Sequence, residues 1–358
     1  MMGAARSGRS HPGHMYKHSF FDDYSEGAHP RVLELLAASN LVQEPGYGED
    51  ALSTRAAALV RDATGNPDAA VHFVSGGTQA NLIALASMLK PYESVIAAST
   101  AHIHVHETGA VEATGHKIHT VPGRDGKLDP EQVRAIVAQH GDEHMVVPRV
   151  VFISQATEAG TLYSKGELTA LSRTCRELGL YLYLDGARLG PALTSKFSDL
   201  SLPELSALVD MFYLGGTKNG ALLGEAIVIN TPALQTRFRY HLKQRGALLA
   251  KGRLLGAQFV ALLEHGLYFD LARHANTMAA RLADGLRGCD IRFLSEPVAN
   301  QVFPILPDTQ VEQLRPHYGF HVWTRIDTAH SALRLVTSWA TPPEAIDRFL
   351  TDFRILVN

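Results

Sequence analysis

Between residues 29 and 230 the apolar positions follow two alternating periods. In "HPRVLELLAASN" (29–40) and "ALSTRAAALVRDATG" (51–65) they return every three to four residues, the spacing of one helix face. "AAVHFVS" (69–75) is short, apolar and β-branched, and reads as a strand that turns through glycines into the helical "GGTQANLIALASMLK" (76–90). "SVIAAS", "KIHTV", "RVVFIS", "LYLYLD" and "DMFYLGG" are further β-rich runs, and helical stretches such as "KGELTALSRTCRELG" lie between several of them. "GEAIVIN" (224–230) adds a late strand. Strand and helix in alternation predict an α/β domain whose mostly parallel seven-stranded sheet lies buried between helices.

After residue 231 the pattern changes. Two long helical segments, 232–265 and 267–287, lead into the β-rich runs "IRFLSE", "NQVFPIL", "FHVWTRID" and "ALRLVTSWA". A helix, "PPEAIDRFLTDFRIL", follows them, so a smaller C-terminal α+β domain with an antiparallel sheet is expected. The reading divides the chain into a disordered leader (1–21), a large domain (22–245) and the small domain (246–358), hinged near residue 232. The segment after the leader is free to join the small domain.

Length and composition narrow the classes. The 358 residues suffice for two domains with a sizeable core, and 46% hydrophobic with 19% charged residues fits a soluble globular chain. Lysine and arginine number 33 against 36 acids, so no global basic field points to nucleic acid. Two cysteines, Cys175 and Cys289, make neither a disulfide framework nor a CxxC site. Apolar runs such as "MVVPRVVFI" are too short and interrupted to span a bilayer, and residues 1–21 lack the apolar core of a secretion signal. A cytoplasmic location is the expectation.

Three motifs carry candidate chemistry. "FVSGGTQAN" (73–81) sets Gly76, Gly77 and Thr78 between a strand and a helix start, where free N–H groups suit a phosphate; a plain tight turn explains it equally. "LYLYLDGARLG" (180–190) ends a strand in Asp185 with Arg188 close behind, the position of active-site acids in open sheets, or of a salt-bridged pair capping the sheet. "GGTKNG" puts Lys218 after a third strand, either in an exposed turn or as an amine bonded to an aldehyde cofactor.

Taken in that order, and together with "EGAHPRVL", "YGED", "AHIHVHETGA" and "LRLVTSWAT", these motifs make the chain resemble the threonine aldolases. Those are fold-type-I pyridoxal 5'-phosphate (PLP) enzymes related to the β-eliminating lyases, and the resemblance runs from about residue 20 to 356. It implies Lys218 as the Schiff-base lysine, Asp185 as partner of the pyridine nitrogen, and Gly76, Gly77 and Thr78 as phosphate ligands. Arg188 would touch the cofactor's phenolic side or the substrate carboxylate, and Arg334 would grip that carboxylate through its fork of donors. His102 matches the histidine stacked on the pyridine face. His104 and His106 fall outside that role unless alternate histidines on a strand face a metal, and Glu107 looks structural. Asp23 would lie near the substrate. Tyr47 would be lent across a dimer interface and Lys251 would reach the neighbouring phosphate, so a homodimer or homotetramer with shared sites follows.

One position departs from the family pattern. Glu158, in "SQATEAGTLY", stands where the best-known low-specificity aldolases have a histidine, and holds a water, contacts the substrate's β-hydroxyl or bonds loop backbone; a base, or a water held by His102 or Glu158, would take the β-hydroxyl proton. The reaction implied is cleavage of a β-hydroxy-α-amino acid, of the threonine or phenylserine type, into glycine and an aldehyde. A β-eliminating lyase or aminotransferase on the same scaffold, and a non-catalytic PLP-binding protein, are the alternatives.

Overall fold

The computed structural model describes residues 16–357. Its centre is a seven-stranded sheet, in the order Ala70–Val74, Glu225–Ile229, Met211–Gly215, Tyr181–Asp185, Val147–Ser154, Glu93–Ala98 and Ile118–Val121. Each is one of the seven strands expected from the pattern. Glu225–Ile229 runs antiparallel to both neighbours, and every other pairing is parallel. Strands Glu93–Ala98, Met211–Gly215 and Glu225–Ile229 are buried along their whole length, because helices cover both faces.

Local sequence explains where helices begin. Ser164 and Ser201 each cap a helix, Lys165–Glu177 and Leu202–Leu208, in reciprocal hydrogen bonds with Glu167 and Glu204. The helix Gly77–Met88 differs: Gly76 caps it without any side-chain hydrogen bond, so its first amides are left for another partner. That helix buries Ala80, Asn81, Ile83, Ala84 and Leu85 against the sheet.

Past the sheet the structure departs from the pattern in three places. The segment 232–265 is not one helix but Pro232–Gln235, Phe238–Gln244 and Arg253–Leu263, since Gly246 (φ 69°) and the loop to Gly252 interrupt it. Phe259 and Val260 of Arg253–Leu263 share a core with Leu214, Ala226 and Val228 of the large sheet, so this helix packs with the sheet although the expected boundary at 245/246 assigned it to the small domain. "IRFLSE" forms only an isolated bridge, Phe293 to Pro304. The antiparallel pairings of Gln301–Val302, Ile305–Pro307 and His321–Arg325 with His330–Val336 do form. The long helices Leu267–Arg287 and Pro343–Val357 complete this part.

The expected leader also needs correction. Residues 1–15 lie outside the described residues, but 16–21 are built into the fold. His18–Ser19 pairs with Tyr318–Gly319, and Phe20 is fully buried beside Tyr318 and Phe349. Two adjacent phenylalanines gain more from burial than a free tail would, and the segment joins the C-terminal core as allowed. Among the described residues no helix is long and apolar enough to cross a membrane.

Candidate active site

Five chain segments leave the sheet at one edge, the carboxyl end of its parallel strands. They carry Gly76–Thr78 after Val74, His102 after Ala98, Glu158 after Ser154, Asp185 itself, and Lys218 after Gly215. Ligand sites of open parallel sheets form at this edge. Ser154 and Asp185 are register partners there, as are Gly215 and Glu225.

Asp185 is buried at the strand end. Its Oδ1 accepts from Tyr213 Oη at 2.5 Å and from the amide of Ala187 at 3.0 Å, and its Oδ2 accepts from Asn81 Nδ2 at 2.9 Å. Oδ2 retains acceptor capacity for one more donor. The turn that follows is tight. A Cβ on Gly186 would come within 1.8 Å of the Tyr213 carbonyl oxygen, so only glycine lets the chain pass.

Lys218 is partly buried, with its amine 5.9 Å from the centre of the Tyr24 ring. Burial, and after it the Arg188 guanidinium, holds the amine below the usual lysine value against the opposing pull of Asp23, Glu158 and Asp185. An amine poised to lose its proton is a nucleophile, and the exposed-turn alternative does not describe this environment. Beneath its turn lies a residue that the sequence reading missed. Glu225 is buried, accepts from the Gly216 amide at 2.9 Å, and is pushed by burial up to about 7. Its only signal was an acid at the head of the apolar run "GEAIVIN".

The expected anion turn also takes shape. Thr78 is exposed, Gly76 and Gly77 are half-buried, and a Cβ on Gly77 would meet Tyr213 Oη at 3.1 Å. An uncapped helix start and a glycine pressed against the tyrosine that holds Asp185 put free amides and the carboxylate on one small surface.

The histidines are corrected in detail. "HIHV" is a short helix, His102–Val105, and not a strand, so alternate histidines do not share a face and the geometry of a metal reading is lost. His104 and His106 are exposed. His102 Nδ1 contacts Glu107 Oε1 at 2.8 Å. Burial lowers the basicity of His102, but Glu107, Asp185 and Glu158 outweigh it and leave the imidazole above its ordinary value.

Arg188 and Asp23 are also revised. Asp23 is fully buried; its Oδ2 accepts from Arg188 Nε at 2.8 Å and from Asn300 Nδ2 at 2.9 Å, and its Oδ1 accepts from Arg188 Nη2 at 3.1 Å. Enclosed in this way, the acid holds Arg188. Arg334 is different. It lies against Trp323, with Nη2 3.2 Å from the Phe21 carbonyl oxygen and 3.5 Å from Asp22 Oδ1, while its buried Nε has no partner. A half-buried guanidinium with an unused donor among the described residues suits a carboxylate ligand.

Glu158 is buried, and its carboxylate accepts no hydrogen bond among the described residues, so the backbone-bonding alternative does not describe it. Tyr47 and Lys251 stand apart from this cluster and beside each other. The Tyr47 amide donates to Ala250 O at 3.2 Å, both side chains are exposed, and Tyr47 lines a separate cavity of about 250 Å³ with Arg61, His72 and Arg239.

Sequence comparison now decides the family. A profile described as beta-eliminating lyase matches residues 25–308. The chain belongs to the beta-eliminating lyase family. Within it, the chain is 38% identical to the low specificity L-threonine aldolase of Pseudomonas aeruginosa over 94% of its own length and 97% of that protein. It is 27% identical to the Escherichia coli K12 protein of the same description, over 73% of this chain and 77% of that one. The solved threonine aldolase of Leishmania major superposes with a TM-score of 0.93 at 47% identity, covering 95% of this chain and all of the other. Thermus thermophilus aspartate aminotransferase superposes at 0.70 over 96% of this chain and 92% of its own, but at 17% identity it shares the fold alone. The resemblance to threonine aldolases read from the motifs is borne out.

Proposed function

We propose that this protein is a PLP-dependent aldolase that splits β-hydroxy-α-amino acids, of the threonine or phenylserine type, into glycine and an aldehyde. The observation that carries the proposal is the convergence of Lys218, Asp185 and an uncapped helix start at one sheet edge, with Arg334 of the C-terminal sheet within the electrostatic reach of Arg188 and Glu158, in a chain whose relatives carry the threonine aldolase name.

The residues fit the cofactor's chemistry group by group. Lys218 would bind its aldehyde carbon, Gly76, Gly77 and Thr78 its phosphate, and the spare acceptor of Asp185 its protonated ring nitrogen. Bound there, PLP draws electrons away from the substrate's Cα and so weakens the Cα–Cβ bond. Arg334 would hold the substrate carboxylate and so orient that bond. Arg188, kept in place by Asp23, adds positive charge to the same end. Glu158, whose carboxylate accepts no hydrogen bond among the described residues, takes the β-hydroxyl proton as the bond breaks. Tyr47 and Lys251, exposed side by side, serve the site of a second subunit in a homodimer or homotetramer.

Incubation of the PLP-loaded protein with L-threonine, L-allo-threonine and phenylserine should release glycine and aldehyde in equal amounts. Ammonia with a keto acid would instead establish a β-eliminating lyase, and a keto acid without free ammonia an aminotransferase.

A further inference from the structure

His102 is joined to Asp185 by a chain of buried side chains. Glu107 Oε1 accepts from His102 Nδ1 at 2.8 Å and from Asn81 Nδ2 at 2.7 Å. The same amide nitrogen donates to Asp185 Oδ2 at 2.9 Å. Tyr183 Oη donates to Asn81 Oδ1 at 3.0 Å, which fixes the amide's orientation. Flipped, Asn81 would turn its carbonyl oxygen toward two carboxylates. One amide thus separates two acids that would otherwise repel in a dry interior.

The charge of Glu107 is unbalanced on one side. The residue is buried, and its Oε2 has no donor among the described residues. A buried carboxylate with an empty oxygen needs a cation beside it. Of its two hydrogen-bond partners, Asn81 and His102, only His102 can carry positive charge. The charged groups that act most strongly on His102 are acids: Glu107 near it in the chain, Asp185 at the strand end and Glu158 from the loop after Ser154. The His106 ring lies 5.5 Å away, where partial desolvation and the His102 charge favour its neutral form against the pull of Glu158.

We infer that Glu107 and Asn81 are positioning residues, Glu107 holding His102 as an imidazolium at the cofactor site and Asn81 tying that pair to Asp185, so that His102 stabilises charge there and does not accept the substrate's proton. The inference rests on the aldolase reading for its consequence, which is that Glu158 is left as the proton acceptor. The basicity of His102, raised by the same three acids, agrees with it.

The test is a titration of His102 by NMR in the PLP-loaded protein labelled with ¹⁵N-histidine, the signal being assigned by its loss in His102→Gln. The midpoint should lie above 6.5. Glu107→Gln should lower it by on the order of one unit, and Glu107→Asp should restore most of that shift. Asn81→Leu removes a donor from Glu107, leaves His102 as the one donor to Oε1, and should raise the midpoint. Shifts in opposite directions from the two sites are not produced by loosening of the fold, which would draw all variants toward 6.5. That convergence, or a wild-type midpoint below 6.5, overturns the inference. Glycine and aldehyde release by the wild type, measured alongside, separates the two claims. Release with a low His102 midpoint sinks the inference alone. The predicted shifts without release support the ion pair and sink the aldolase reading.

Discussion

Arg188 and Asp23 form a two-point ion pair with both side chains almost wholly out of solvent, Nε to Oδ2 at 2.8 Å and Nη2 to Oδ1 at 3.1 Å. Through Asn300, which bonds both Asp23 and the Thr337 carbonyl, the pair also joins the large sheet to the C-terminal part of the chain. Asp23→Asn would leave a buried guanidinium without its counter-charge, a loss of roughly 3–5 kcal/mol in such pairs. Urea denaturation should show that loss. A stability within about 0.5 kcal/mol of wild type, the scale of an ordinary surface change, would mean that Arg188 finds another partner.

Glu158 separates two reactions that share every other residue. Exchange of the α-proton of glycine needs Lys218, Asp185 and Arg334 but no β-hydroxyl acceptor. Glu158→Gln should therefore cut cleavage by about 10²-fold or more, the low end of a general base's contribution, and leave glycine exchange largely intact. Proton exchange by NMR and aldehyde release by a coupled assay provide the two rates. An equal fall in both, with lower thermal stability, would make Glu158 a structural residue.

Glu225 predicts a pH dependence of stability. Its folded value is raised from 4.5 to about 7 by burial, so between those values the folded protein binds a proton that the unfolded chain has released. Folding stability from this residue is therefore retained below pH 4.5 and lost as pH rises toward 7. Glu225→Gln cannot titrate. The stability of wild type relative to this variant, measured in urea between pH 5 and 8, should fall as pH rises. A constant difference would show that Glu225 keeps an ordinary value.

Much of this arrangement was legible because strand ends are written locally. Alternating apolar runs placed all seven sheet strands, and Lys218, Asp185 and the Gly76–Thr78 turn stand at strand exits that period and glycine mark. What escaped depends on contacts between distant segments. Asp23 lies 165 positions from the Arg188 it holds, and Asn81 reaches Asp185 across 104, so neither spacing carries a signal. His102–Val105 reads as alternating, yet four residues are too few for period to separate helix from strand. The helix Arg253–Leu263 was drawn into the wrong unit because its apolar residues say that it is buried, but not against what.

The account stands or falls on Lys218 as the residue that carries the cofactor. Borohydride reduction of the PLP-loaded protein, followed by digestion and mass spectrometry, should find the label on the peptide containing Lys218. Lys218→Ala should lack both the label and the yellow colour. A label on Lys251 or Lys90, or an unchanged yield in Lys218→Ala, would contradict the site described above.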